Sequence, residues 1–266
     1  MKKLSLALIL FTSIFLGYSQ ENLTYQQPSK EILELVDAPL APSVRMDDDY
    51  ENMILLYRNA FKTIAELSED ELRLGGLRIN PKTNIGSRTN YYNNIKVRKL
   101  SSKDISDVQG LPSDLRLANF SWSPDQKKIA MTNTTSNGVE VWVLNIEEAK
   151  ATKIVGGKVN ANMRDVLNWF EDSNHILVKM VSSDREALIN TSLAVPSGPT
   201  ISTNDGKKAQ NRTYQDLLKN KNDEQNFEQL AKSELHKVDL SGNASLWMGS
   251  AMYGNISFSP DGEYVM

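Results

Sequence analysis

Few residues in this chain have the types and spacing that catalysis requires. The 266 residues include two histidines, His175 and His236, and no cysteine. A serine hydrolase of the α/β type needs a Gly-x-Ser-x-Gly elbow together with an acid and a histidine, and the sequence contains no such elbow. Both histidines lie in stretches of alternating apolar residues, so we predict that they are strand residues rather than general bases. The absence of cysteine excludes disulfides, thiolate metal sites, iron–sulfur clusters and a cysteine nucleophile.

Other kinds of site are equally poorly supported. Gly75-Gly76 and Gly156-Gly157 lack the Lys-Ser/Thr pair or the strand–helix context of a phosphate-binding loop. The acidic run at residues 47–49 lacks the alternating spacing of a calcium loop, and we interpret it as a hairpin turn. A net charge of −3 disfavours a nucleic-acid partner. The sequence therefore assigns no catalytic, cofactor-binding or metal-ligating residue and implies no cofactor.

The elements that would carry a site are predicted from an internal repeat. Residues 120–131 and 256–266 share the pattern of an apolar segment, a Ser-Pro-Asp turn and a second apolar segment. Degenerate copies occupy residues 167–178 and 44–55. Alternating apolar residues on both sides of a polar turn indicate an antiparallel hairpin. The four tryptophans, at positions 122, 142, 169 and 247, are predicted to be core residues of the strands.

The hairpins at residues 120–131 and 167–178 are each followed by a second pair of predicted strands, at residues 139–146 and 151–155, and at 235–240 and 245–248. Four strands per repeat and the 47 residues that separate Trp122 from Trp169 are typical of a propeller blade. The predicted fold class is all-β: an incomplete β-propeller over residues 44–266, built of four-stranded blades. Longer spacings before Trp122 and after Trp169 predict extensions within the first and third blades.

Three segments depart from the blade pattern. Residues 20–43 are predicted to form an N-terminal arm with one or two helical turns, ended by Pro39 and Pro42. Residues 184–232 are predicted to be a mixed helix and loop insertion, with helices at 214–219 and 223–232. Leu217, Leu218, Phe227 and Leu230 are its expected apolar anchors.

Residues 1–19 have the three parts of a secretory signal peptide. Lys2 and Lys3 precede an apolar run at residues 4–16, and Gly17-Tyr18-Ser19 places small residues at −3 and −1 of a cleavage site. We therefore expect an exported protein, periplasmic or extracellular, with no membrane segment after cleavage.

The last hairpin stops inside its second strand, at Met266. Three blades and half of a fourth would leave unpaired sheet edges, which natural proteins avoid. We therefore expect this chain to be the N-terminal part of a longer protein.

Several stretches resemble the N-terminal region of the glutamyl endopeptidase branch of the prolyl oligopeptidase family. They are residues 38–42, 73–84, 195–199, 206–209, 213–220 and 223–227, and the resemblance extends over about residues 28–266. It implies a serine peptidase in which a β-propeller filters peptide substrates for a C-terminal α/β-hydrolase domain. That domain is absent from this sequence, so the chain alone is expected to be inactive, with peptides and the missing domain as its partners.

The Ser-Pro-Asp-Gly hairpins alone also fit a second class, a non-enzymatic periplasmic propeller that binds proteins or peptides. A sugar- or metal-dependent propeller enzyme is a third class, which no acid pair or ligand cluster supports. The sequence that follows residue 266 distinguishes the first two, because only a peptidase would continue into a nucleophile elbow.

Overall fold

A computed structural model describes residues 26–102, 104–190, 198, 206, 215–259, 261–262 and 264–266. The chain divides into two units, Met1–Pro39 and Leu40–Met266. In the first unit the described residues contain one helix, α1 (Lys30–Val36), which ends where the Asp37 N–H donates to the Leu33 carbonyl oxygen. The predicted helical turns of the arm are thus confirmed, whereas the predicted signal peptide at residues 1–19 lies outside the described residues.

The second unit is mostly antiparallel β-sheet. Its elements, in chain order, are β1 (Ser43–Met46), β2 (Asn52–Tyr57), α2 (Ile64–Leu67), β3 (Leu72–Leu74), β4 (Leu77–Asn80), β5 (Ile85–Gly86), β6 (Asn94–Lys99), β7 (Ile105–Asp107), β8 (Leu117–Trp122), β9 (Lys128–Thr135), β10 (Gly138–Asn145), β11 (Lys150–Val159), β12 (Leu167–Trp169), β13 (His175–Val181), α3 (Lys221–Ala231), β14 (Ser233–Asp239) and β15 (Ala244–Ala251). No helix among the described residues is long and apolar enough to cross a membrane.

Twelve of these strands form one four-stranded and one eight-stranded antiparallel sheet, and β3, β4 and β5 form a separate small sheet. The eight-stranded sheet divides into two groups of four strands, so we call β1-β2-β6-β7 the first sheet, β8-β9-β10-β11 the second and β12-β13-β14-β15 the third. The second and third sheets are joined within the eight-stranded sheet by a single pair of residues, Val159 and Met180. The predicted β fold is confirmed as mostly β with antiparallel sheets.

The hairpin turns share one backbone conformation. The fourth turn residue has a positive φ in every copy: 56° at Tyr50, 57° at Gln126, 52° at Ser173 and 69° at Gly262. At the start of the turn, the Ser123 hydroxyl accepts a hydrogen bond from the Lys128 N–H at 3.0 Å. Serine hydroxyls and aspartate carboxylates commonly fix such turns through local hydrogen bonds with the backbone. This explains why these residue types recur in the turns.

The hydrophobic core lies between successive sheets, because adjacent residues of one strand face opposite sides. In β9, Ile129 and Met131 pack toward the first sheet, while Ala130 packs toward the third. The cluster between the first and second sheets includes Ile54, Leu56, Ile95, Val97, Leu117, Ile129, Met131 and Leu144. The cluster between the second and third sheets includes Ala130, Val139, Val141, Val155, Val159, Leu167, Trp169, Ile176 and Val178. The second sheet therefore buries both of its faces.

Two long insertions interrupt the sheets and pack against each other. Between β2 and β6, residues 58–93 hold α2 and a small sheet, β3-β4-β5. Between β13 and β14, α3 is seated on that small sheet, where Leu230 is fully buried against Leu74 and Ile79. Arg78 and Asp216 form an ion pair at 3.0 Å across the same contact.

Two sequence predictions for this region are wrong. The described part of the predicted helix at 214–219 is not helical, because Asp216 has a φ of 61° and its backbone oxygen accepts from the Gly76 N–H. Leu217 is exposed by 47% rather than buried, whereas Leu218, Phe227 and Leu230 do pack as anchors. The second predicted helix is confirmed as α3.

Candidate functional site

The two histidines do not form a hydrolytic centre in the described part of the chain. His175 Nδ1 lies 2.6 Å from Asp172, at the end of a hairpin turn. His236 Nε2 lies 3.0 Å from Glu234, whose other oxygen accepts from the Ser183 hydroxyl at 2.5 Å. A catalytic triad requires the histidine between the serine and the acid, whereas here the acid is in the middle. Both histidines are strand residues, as predicted.

The acidic run at residues 47–49 is a turn. The Asp47 carboxylate is buried and accepts hydrogen bonds from the backbone N–H groups of Glu51 and Asn52, at 2.9 and 3.0 Å. The described residues contain no group of three or more histidine, aspartate or glutamate side chains placed to hold a metal ion. The interpretation of this run as a hairpin turn is confirmed.

The tryptophans divide into two kinds. Trp142 and Trp169 are buried, and Trp122 is partly buried against the core between the first and second sheets. Trp247 is 40% exposed on β15, the last strand of its sheet, so its prediction as a core residue is wrong. Its ring is stacked on Phe258, with 6.1 Å between the ring centroids.

A polar cleft of about 810 Å³ opens where the first insertion meets the second sheet. We call it the Arg116 cleft. Its walls come from the loop after α2, the end of β4, the loop before β8, and strands β9 to β11. The side chains used below are Glu69, Asp70, Asn80, Lys82, Thr83, Asp114, Arg116, Asn133, Glu140, Trp142 and Lys153.

A network of hydrogen bonds fixes the floor of the cleft. The Arg116 guanidinium donates to the Glu69 carboxylate from Nη1 at 2.8 Å, and Asn80 Nδ2 donates to the same carboxylate at 2.8 Å. The Arg116 guanidinium also lies over the Tyr91 ring, 4.4 Å from its centroid. Burial works against the charge of Arg116, but the hydrogen bonds that it donates to Glu69, together with the surrounding negative charges, raise the pKa of the guanidinium. Arg116 is therefore a fixed cation.

The opposite wall is fixed in the same way. The Glu140 carboxylate accepts from the Trp142 indole N–H at 2.9 Å and from Lys153 Nζ at 3.2 Å. The Asn133 side-chain oxygen accepts from the Arg116 backbone N–H at 2.9 Å, which ties β9 to the start of β8. Side chains held by several partners keep their donors in place before any ligand arrives.

None of these residues was predicted as a site. They come from four separate parts of the chain, and each is an ordinary polar residue in its own sequence context. The one sequence signal is that Asn80, Lys82 and Thr83 fall within residues 73–84, one of the stretches that carry the family resemblance.

No family model matches this chain. It is 30% identical over 256 residues to a probable chloroplastic glutamyl endopeptidase of Oryza sativa subsp. japonica, covering 91% of the chain and 27% of that protein. It is 29% identical over 255 residues to a protein of the same description from Arabidopsis thaliana, covering 91% of the chain and 26% of the relative. The chain thus spans about a quarter of the length of these relatives.

Structural similarities are weaker. An acylaminoacyl peptidase of Pyrococcus horikoshii matches 81% of the chain and 26% of its own length, with 13% identity and a TM-score of 0.41. TolB of Acinetobacter baumannii matches 93% of the chain and 57% of its own length, with 12% identity and a TM-score of 0.35. Because both TM-scores are below 0.5, no conclusion about this protein rests on them.

The described residues therefore define a mostly antiparallel β protein built of stacked four-stranded sheets. In sequence, this chain is homologous to the N-terminal portion of glutamyl endopeptidases, which confirms the resemblance drawn above.

Proposed function

We propose that this chain is the β-propeller portion of an exported serine peptidase that cleaves peptide bonds after acidic residues. The observation that carries the proposal is the 30% identity to a probable glutamyl endopeptidase over 91% of the chain. In this proposal the propeller binds and filters peptide substrates, and the catalytic serine, aspartate and histidine belong to a part of the protein outside this sequence.

The sheet architecture supports a propeller. In a propeller, four-stranded meanders pack face to face around an axis, so that each blade buries both faces. The second sheet here has one core cluster on each face. The connection between neighbouring blades in such a fold comes mainly from side chains, and the single backbone pair between Val159 and Met180 fits that arrangement.

Activity assays separate the chain from the longer protein. A blocked peptide with a chromogenic group after glutamate is incubated with this chain and with a longer protein that contains it. The same peptide with glutamine is the matched control. We expect rapid hydrolysis of the glutamate peptide by the longer protein only. Hydrolysis by the chain alone would refute its inactivity, and a longer protein without hydrolase activity would favour the binding-module alternative.

Export is tested independently. The signal-type segment at residues 1–19 supports it. Mass spectrometry of the protein recovered outside the cytoplasm should give an N-terminus at Gln20. Recovery of the intact N-terminus from the cytoplasm alone would contradict this part of the proposal.

A further inference from the structure

Four buried polar atoms of residues that line the Arg116 cleft have no hydrogen-bond partner among the described residues. They are Thr83 Oγ1, Arg116 Nε, Asn133 Nδ2 and Thr134 Oγ1. Thr83 and Asn133 are 4% and 1% exposed. Folded proteins rarely leave buried polar atoms unpaired, because such atoms lose their hydrogen bonds to water, and each exception calls for an explanation. Their gathering in one cleft suggests that a ligand supplies the missing partners.

The surrounding network prevents these side chains from finding other partners. Two other nitrogens of the Arg116 guanidinium are held by Glu69, and the Asn133 side-chain oxygen is held by the Arg116 backbone N–H. The remaining N–H groups are thus donors in fixed positions. Fixed donors lower the entropic cost of binding an acceptor.

The charges of the cleft narrow the class of ligand. The Arg116 and Glu69 charges compensate each other, as do those of Lys153 and Glu140. The remaining charged residues of the lining are one cation, Lys82, and two anions, Asp70 and Asp114. A nearly balanced lining does not select a polyanion or a simple anion. It suits a neutral polar ligand that offers acceptors to the two N–H donors and either role to the Thr83 hydroxyl.

We propose that the Arg116 cleft binds the main chain of an extended peptide, whose carbonyl oxygens accept from Arg116 Nε and Asn133 Nδ2. The inference rests on the proposed function, because that function supplies a peptide as the ligand. It adds the place of binding and the mode, recognition of the backbone rather than of an acidic side chain. Since the unpaired atoms are buried in the free chain, binding requires a small displacement of the groups that cover them.

Titration of the ¹⁵N-labelled chain with acetyl-Ala-Ala-Glu-Ala-Ala-amide tests this proposal. We expect saturable shifts of the Asn133 side-chain amide signals, and equal affinity within about 3-fold for the peptide with glutamine in place of glutamate. Shifts confined to other residues, or no saturable binding, would overturn the proposal. A preference of more than 10-fold for glutamate would also overturn it, because backbone recognition ignores that side chain.

Variants provide the second measurement. Thr83→Val is isosteric and removes the unpaired hydroxyl, so it should fold normally and weaken peptide binding by about 2- to 10-fold, the effect of one neutral hydrogen bond. Thr152→Val is the matched control, since Thr152 is an exposed strand residue outside the cleft. Equal affinities of the two variants would show that the unpaired atoms bind only water.

These results are independent of catalysis. If the longer protein proved inactive while the chain still bound the peptide in this cleft, the proposed function would fail and the binding site would stand. If the longer protein cleaved after glutamate but no peptide bound in this cleft, the proposed function would stand and the binding site would fail.

Discussion

Lys179 shows how a single residue can join two parts of the chain. Its side chain is 1% exposed, and its ammonium donates to the carbonyl oxygens of Arg164, Tyr253 and Gly254. The Asp165 carboxylate accepts from the Ile256 N–H at 2.9 Å beside it. Burying the Lys179 ammonium among carbonyl oxygens, without a carboxylate that pairs with it directly, costs free energy. The hydrogen bonds to Tyr253 and Gly254 therefore hold that segment in place at a cost in stability.

Burial lowers the pKa of Lys179 to about 8, with the Asp165 charge acting in the opposite direction. The unfolded chain keeps the ordinary value of 10.5, so it binds more protons than the folded chain between pH 8 and pH 10.5. The Lys179 contribution to the unfolding free energy should therefore rise through this window and fall away as pH drops toward 8. Urea unfolding of the protein and of Lys179→Met at pH 7.5, 9 and 10.5 measures the difference, and Lys127→Met, an exposed turn residue, is the control. An unchanged difference across the three pH values would contradict the assignment.

The contact between the two insertions includes one close approach, between Gly75 of the small sheet and Phe227 of α3. Gly75, between β3 and β4, has a φ of +58°, and a Cβ at this position would lie 2.9 Å from the Phe227 ring of α3. Glycine adopts this left-handed conformation at the lowest cost, and its lack of a Cβ leaves room for the ring. The seating of α3 on the small sheet therefore favours glycine at this point.

Gly75→Ala should destabilise the packing of α3 by about 1–2 kcal/mol from backbone strain, with the ring contact adding to that loss. Gly76→Ala is the matched control, because it has a φ of +82° but no atom within 4 Å of its added Cβ. Hydrogen exchange should show faster exchange of α3 amides in the Gly75 variant than in the Gly76 variant. Equal exchange in the two variants would show that the ring contact is unimportant.

Sequence reasoning succeeded where the determinants are local. The turn at residues 123–128 is fixed by Ser123 and Asp125 within six residues, and its pattern predicted the hairpin. It failed at Asp216, whose partner Arg78 lies 138 residues away in the chain. The Arg116 cleft could not be predicted for the same reason, because Glu69, Arg116 and Asn133 meet only when an insertion packs on the second sheet.

For the whole molecule, the connection between sheets decides whether folding is cooperative. Trp169 of the third sheet is 7% exposed in the core cluster between the second and third sheets, and its indole N–H donates to the Ser121 carbonyl oxygen of the second sheet at 3.0 Å. A side chain that contributes both a core contact and a hydrogen bond across the sheets couples their stabilities.

Trp169→Phe removes the hydrogen bond and creates a small cavity in the core, so it should cost about 2–4 kcal/mol. Trp247→Phe is the control, since that indole is partly exposed on β15. Thermal unfolding followed by circular dichroism and by tryptophan fluorescence should remain a single transition with a lower midpoint only for the Trp169 variant. Equal midpoints for both variants would show that the Trp169 contact does not stabilise the protein.

The single residue pair between Val159 and Met180 has a mechanical meaning. Tension applied along the chain would be resisted by many backbone hydrogen bonds inside each sheet. Between the second sheet and the third it would be resisted by one residue pair, the Trp169–Ser121 hydrogen bond and apolar side-chain packing. Pulling from one end should therefore separate these two sheets before either of them unravels.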